Sequence, residues 1–225
     1  MKKSKATRFL ALLVSAALLI ALAACGGNDG TEEEEDNSGE EGKEESAQTT
    51  LYMLSEQGPK QMMSYVLQTK EGKLAVIDGG NKVEANDLVD TLVRLGGPEP
   101  EIELWLITHP HGDHVGALME IFSRPDNPLQ VKKIYSHFLS YEFYKEHSGQ
   151  DGSVLTKQFE SFQEEHPDIC FSFEEGQELT IGSAKFTVLY VPNEEIFSNN
   201  VVNNSSVVFR LDAEGQRVLD RKSVV

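Results

Sequence analysis

Apolar residues fall into short alternating runs first, then at helical spacing, then into alternating runs again. The early runs predict strands near Leu51–Ser55, Met62–Thr69 and Leu74–Asp78, each bounded by polar or glycine-containing stretches. Leu88, Leu92 and Leu95 recur on one face and predict a helix over Glu84–Leu95, which Gly96-Gly97-Pro98 stops. Glu101 to Ile107 ends in an unbroken apolar run and reads as a strand; Val115 to Phe122 then reads as a helix with an apolar face. Val131–Ser136 is a further predicted strand. Residues 138–147 and 153–165 read as helices, the second from Leu155, Phe159 and Phe162 on one face. Strands follow near Ile169–Phe173, Glu178–Ile181, Lys185–Val191 and Ser206–Leu211. Strands, then strand–helix alternation, then strands again predict an α/β (α+β) architecture, an αββα sandwich, with no internal repeat.

The first fifty residues do not fit that pattern. Lys2, Lys3, Lys5 and Arg8 precede an apolar stretch from Phe9 to Leu22. The stretch is short for a membrane span and has the layout of a signal peptide. Leu22-Ala23-Ala24-Cys25 resembles the bacterial lipobox, in which Cys25 would be lipidated and become the first mature residue. Residues 1–25 are therefore expected to be a lipoprotein signal, placing the mature protein on the extracellular face of the cytoplasmic membrane. Residues 26–50 carry ten acidic side chains against Lys43 alone and no aromatic or large aliphatic residue. No core can form there, and like charges extend the chain, so an acidic tether is expected.

Charge narrows the function classes. The whole chain carries a net −17, and residues 51–225 carry 15 Lys+Arg against 27 Asp+Glu, or −12. A domain so acidic lacks the basic face of a general nucleic-acid binder. Besides Cys25 there is only Cys170, within Ile169-Cys170-Phe171, so no disulfide framework exists.

The densest chemistry lies in Thr108-His109-Pro110-His111-Gly112-Asp113-His114-Val115-Gly116. Imidazole nitrogens and a carboxylate suit zinc and similar metals. His109 and His111 stand two apart and point the same way on an extended backbone. The natural geometric reading gives one pair of ligands to each of two metals. The position, between a predicted strand and a predicted helix, is where open α/β sheets place their sites.

This run resembles the His-x-His-x-Asp-His signature of the metallo-β-lactamase superfamily. Lys73-Leu-Ala-Val-Ile-Asp78-Gly79-Gly80 is similar to that family's early strand, and Asn203 to Leu211 resembles a strand start of its competence-protein-like subgroup. The resemblance covers roughly residues 50–219 and implies a domain over 51–219. It implies that His109 and His111 bind the first metal and Asp113 and His114 the second, with Asp113 counted as catalytic. It implies also that Asp78 supports a ligand histidine and that the cofactor is two zinc ions, with manganese or iron as alternatives. A metal-activated water would then hydrolyse an ester. His137, after a strand, is a candidate to face the metals; His147 and His166 fall at helix ends, where the dipole alone suits them.

The chain departs from the family in two places. Val188 to Asn193, where a third histidine for the first metal is usual, holds none, as in the competence-type subgroup. The later Gly-Asp pair and final histidine are absent as well. The last six residues, Asp220 to Val225, are encodable by GAT-CGG-AAG-AGC-GTC-GTG, a common sequencing-adapter string. They are expected to be a non-native tail on a domain whose second half is incomplete, leaving the 225-residue chain itself inactive. The expected activity of the intact protein is hydrolysis of phosphodiester or phosphate-ester bonds, on a small-molecule or cell-wall substrate. Hydrolysis of a lactone, thioester or β-lactam and a non-catalytic metal-binding lipoprotein stay open as alternatives.

Overall fold

The computed structural model describes residues 48–150, 152–195 and 199–220. The expected signal peptide, Cys25, nearly all of the expected tether and residues 221–225 lie outside the described residues. No helix among the described residues is long and apolar enough to cross a membrane.

Seven strands form the first sheet: β1 (Thr50–Met53), β2 (Ser64–Gln68), β3 (Leu74–Asp78), β4 (Glu101–Leu106), β5 (Gln130–Val131), β6 (Ile134–Ser136) and β7 (Cys170–Ser172). Their order is β1-β2-β3-β4-β6-β7, with β5 beside the start of β4. The first three strands are antiparallel, and β3, β4, β6 and β7 run parallel. Parallel neighbours need crossovers. Helix α1 (Ala85–Gly96) carries the chain from β3 to β4, α2 (Gly112–Phe122) from β4 toward β6, and α3 (Tyr141–Ser148) with α4 (Ser153–Glu165) from β6 to β7. The second sheet is an antiparallel meander, β8 (Glu178–Ile181), β9 (Ala184–Tyr190), β10 (Val208–Ala213) and β11 (Gln216–Asp220), with the short helix α5 (Val201–Asn204) before β10.

Side-chain alternation divides the core. Leu74 and Val76 of β3 join Leu88, Leu92, Val115, Leu118 and Phe159 on the helix side. Ala75 and Ile77 join Phe186, Val188, Phe209 and Leu211 between the sheets. Both faces of β3 are therefore covered, which is why its sequence reads as a continuous apolar run. A register shift opposite β3 lets Ile102 and Trp105 of β4 face the helices together despite their odd spacing. The described residues thus give helices, sheet and second sheet in that order. Among them no hydrophobic cluster joins a helix to the far face of the second sheet.

Several boundaries moved. Helix α2 begins at Gly112, so Asp113 and His114 sit in its first turn rather than in the loop before a helix at Val115. The predicted strand Val131–Ser136 is split into β5 and β6. Helix α5 and strand β11 have no counterpart in the predicted elements.

Candidate metal centre

The site lies where β3 and β4, adjacent and parallel, end. Strand β3 finishes on Asp78 with φ 55°, a left-handed conformation that aspartate tolerates better than most residues. Trp105 Nε1 donates to the Asp78 carbonyl at 2.9 Å and fixes that turn. Beyond β4 the chain passes through Thr108, His109 and Pro110, all buried, to His111, whose extended backbone starts α2. Helix α2 then packs on the turn after β3, with Ala117 N donating to Gly80 O at 3.0 Å. Gly116 permits the approach, because a Cβ there would lie 2.8 Å from Lys82 N.

Asp78 is 0% exposed and accepts four contacts. Thr108 donates its amide at 2.9 Å and its hydroxyl at 3.1 and 3.0 Å to the two carboxylate oxygens. His114 Nδ1 lies 2.8 Å from Asp78 Oδ2. A buried carboxylate can only accept, so His114 carries its proton on Nδ1 and presents Nε2 as a lone-pair donor. Thr108 Oγ1 also lies 3.0 Å from His109 Nδ1. Its own proton is committed to Asp78, so it accepts from His109 Nδ1–H, and His109 likewise presents Nε2. One aspartate and one threonine therefore set both tautomers.

The outward nitrogens converge in pairs. His109 Nε2 is 3.1 Å from His111 Nδ1. His114 Nε2 is 3.6 Å from Asp113 Oδ2. Two donors on one tetrahedral zinc, each about 2.0–2.1 Å from it, stand about 3.3 Å apart. The rings of His109 and His114 lie 3.9 Å apart centre to centre, so the pairs adjoin. In donor chemistry and spacing the residues fit divalent metal. They form two pairs and not a closed cage: among the described residues no group of three or more His, Cys, Asp or Glu stands ready to hold an ion.

All five residues expected at the site, Asp78, His109, His111, Asp113 and His114, are brought together. Thr108 carries no expected role from the motif; its signal is position, since a hydroxyl just before the first histidine reaches both the strand-end carboxylate and an imidazole. Asp220, expected to open the tail, ends β11 opposite Phe209 and feels the charges of Asp78 and His114. Burial pushes its carboxyl up to about 7, the Asp78 charge adds to this, and His114 opposes it. Tyr65 of β2 is raised by burial and then by Asp220 and Asp78.

The remaining histidines serve elsewhere. His137 Nδ1 pairs with Ser172 Oγ at 2.9 Å and lines a cavity shared with α4, not with the metal-motif residues. Its burial lowers its pKa. His147 bonds the Phe143 carbonyl of its own helix at 2.9 Å, and His166 ends α4.

Residues 58–194 match the profile of the metallo-beta-lactamase superfamily. No curated protein sequence matches significantly. Similar solved structures include a metallo-beta-lactamase with a HARLDQ motif from Cronobacter sakazakii, 14% identical, covering 73% of this chain and 57% of its own, at a TM-score of 0.48. BJP-1, a subclass B3 metallo-beta-lactamase of Bradyrhizobium japonicum, is 18% identical, covering 79% and 61%, at 0.47. YhfI, a metallo-beta-lactamase fold protein from Bacillus subtilis, is 16% identical, covering 72% and 55%, at 0.43. The chain spans less than two thirds of each of these structures.

Proposed function

The chain belongs to the metallo-beta-lactamase superfamily, whose members are generally metal-dependent hydrolases, and from that premise we propose that it hydrolyses phosphodiester or phosphate-ester bonds with two zinc ions. The observation that carries this reading is the paired donors whose inner nitrogens are held by Thr108 and Asp78. His109 and His111 would hold one ion, Asp113 and His114 the other. Bound there, the ions supply a water acidified toward neutrality and polarise the scissile group. The protein does the rest. Asp78 and Thr108 keep His114 and His109 aimed, as supporting groups of metal ligands do. Asp113, whose side chain is 32% exposed against 1% for His114, faces the open side; with Oδ2 turned to the second ion, its other carboxylate oxygen would be the group able to take up a proton there.

The phosphoester leaning is supported by the competence-like segment Asn203 to Leu211. It abuts the metal loop, with Val207 N donating to Thr108 O at 3.0 Å. The absence of a histidine at Val188 to Asn193 points the same way. With Cys25 lipidated, the protein would be tethered outside the cell and act on small-molecule or cell-wall esters.

The test is metal content together with bis-(p-nitrophenyl) phosphate turnover, beside the His111→Ala variant. It is run on the protein expressed from its genomic gene. Two metals per chain with turnover that the variant loses is the expected result. Metal without phosphoester turnover redirects the search to lactones and β-lactams. A folded protein that takes up no metal overturns the hydrolase.

A further inference from the structure

A cavity of about 550 Å3 opens beside the metal loop, and Gly112, between His111 and Asp113, forms part of its wall. Val83, Met119 and Leu155 give it an apolar side. Its volume is that of a small-molecule site.

Glu84 also lines this cavity and is 0% exposed. The turn at Gly80 makes room for it, since a Cβ there would lie 3.3 Å from Glu84 Cβ. Glu84 Oε1 accepts one long hydrogen bond, 3.3 Å, from the amide of Gln57. Oε2 is buried and has no hydrogen-bond partner, and Glu84 is the one charged residue so placed among the described residues. Two lysines share the lining: Lys82, engaged by Glu120 at 2.8 Å, and Lys60, which is exposed. A buried carboxylate oxygen without a donor is costly and calls for one.

The segment above Glu84 ties the cavity to the metal loop. Asn81 Nδ2 donates to Gln61 O at 3.2 Å, and Met63 N to Asp113 O at 3.0 Å.

We infer that the cavity recognises a substrate bearing a protonated amine on an apolar stem, with Glu84 as the acceptor for the ammonium group. An ammonium supplies the missing donor and the missing countercharge; an alcohol supplies a donor only, and an anion is repelled. The inference rests on the hydrolase reading for what happens next: stem and amine occupy the cavity while the ester reaches the metal loop past Gly112.

The test is calorimetric or ligand-observed NMR binding of phenethylammonium against phenethyl alcohol, on the full chain. The amine should bind at least about tenfold more tightly, the factor one charge-assisted hydrogen bond supplies. Glu84→Gln should bring the ratio to about one. Val83→Lys, at a position 65% exposed and so safe for folding, should also remove the preference by placing a cation at the rim. Equal affinity for amine and alcohol in the unchanged chain, as when water alone satisfies Glu84, overturns the inference; so does a preference that survives Glu84→Gln. The ratio is measured with and without added zinc. Failure to take up metal therefore sinks the hydrolase reading without altering the ratio, and a ratio of one sinks the cavity's role without altering metal uptake.

Discussion

Replacing Asp78 by asparagine tests whether the tautomers of the centre are set from below. The substitution keeps the shape of a side chain that is 0% exposed but turns one acceptor into a donor. In the native arrangement the two carboxylate oxygens accept from Thr108 N, Thr108 Oγ1 and His114 Nδ1. An amide cannot satisfy all three. With its oxygen toward Thr108, its NH2 faces His114 Nδ1, and His114 pairs with it only by moving its own proton to Nε2, where metal must bind. With its oxygen toward His114, the NH2 opposes the Thr108 amide. Either way, keeping the ligand-ready tautomer leaves one buried N–H unpaired, at about 1–3 kcal/mol. Zinc affinity should therefore fall by roughly fivefold to 150-fold, a span that brackets the roughly 10- to 100-fold typical for loss of a supporting carboxylate. The assay is zinc titration against a competing chelator, with 1H–15N correlation of the His114 ring in the metal-free protein. The ring should shift toward the Nε2–H tautomer. Unchanged affinity together with an unchanged ring in a folded Asp78→Asn protein would refute the reasoning.

Two further outcomes follow from packing and burial. Gly116→Ala places a Cβ 2.8 Å from Lys82 N and 3.1 Å from the carbonyl carbon of Asn81, both backbone. The gain in helix propensity is about 1 kcal/mol and overpacking costs about 1–3, so thermal unfolding should lower Tm by a few degrees and zinc affinity should drop with it. Burial pushes the Cys170 thiol up to about 11. Burial disfavours the charged thiolate, so in protein expressed from Gly26 onward iodoacetamide labelling at pH 8 should run roughly a hundredfold slower than at an ordinary thiol. Its rate should keep rising past pH 9 and level off only near pH 11; a plateau near pH 9 would contradict the burial.

The sequence is most legible where one force decides an element alone. Strand β3 occupies the predicted Leu74–Asp78 because its apolar run is too short for a helix and ends at Gly79-Gly80. Helix α1 stops where Gly97, with φ 87°, donates to Val93 O. Helix α2 is less legible because its first turn is built from the ligands: Gly112, Asp113 and His114 contribute no apolar periodicity, yet Asp113 suits the positive end of a helix. Strand β11 was missed because its side chains are largely exposed and its register comes only from pairing with β10.

The site divides along the same line. A ligand motif is local, so His109, His111, Asp113 and His114 were legible from spacing. Their support from Asp78 crosses 30 residues to Thr108 and 36 to His114, and only the parallel pairing of β3 with β4 makes it physical. Glu84 shows the opposite failure. In sequence it reads as an acidic residue opening a helix, where the dipole and solvent would account for it. The fold instead buries it under the segment that carries Gln57 and leaves one of its oxygens unpartnered. A helix-opening carboxylate and a recognition carboxylate have the same sequence signature. Tertiary burial alone separates them, because solvent satisfies an exposed carboxylate, whereas a buried one without a donor is costly.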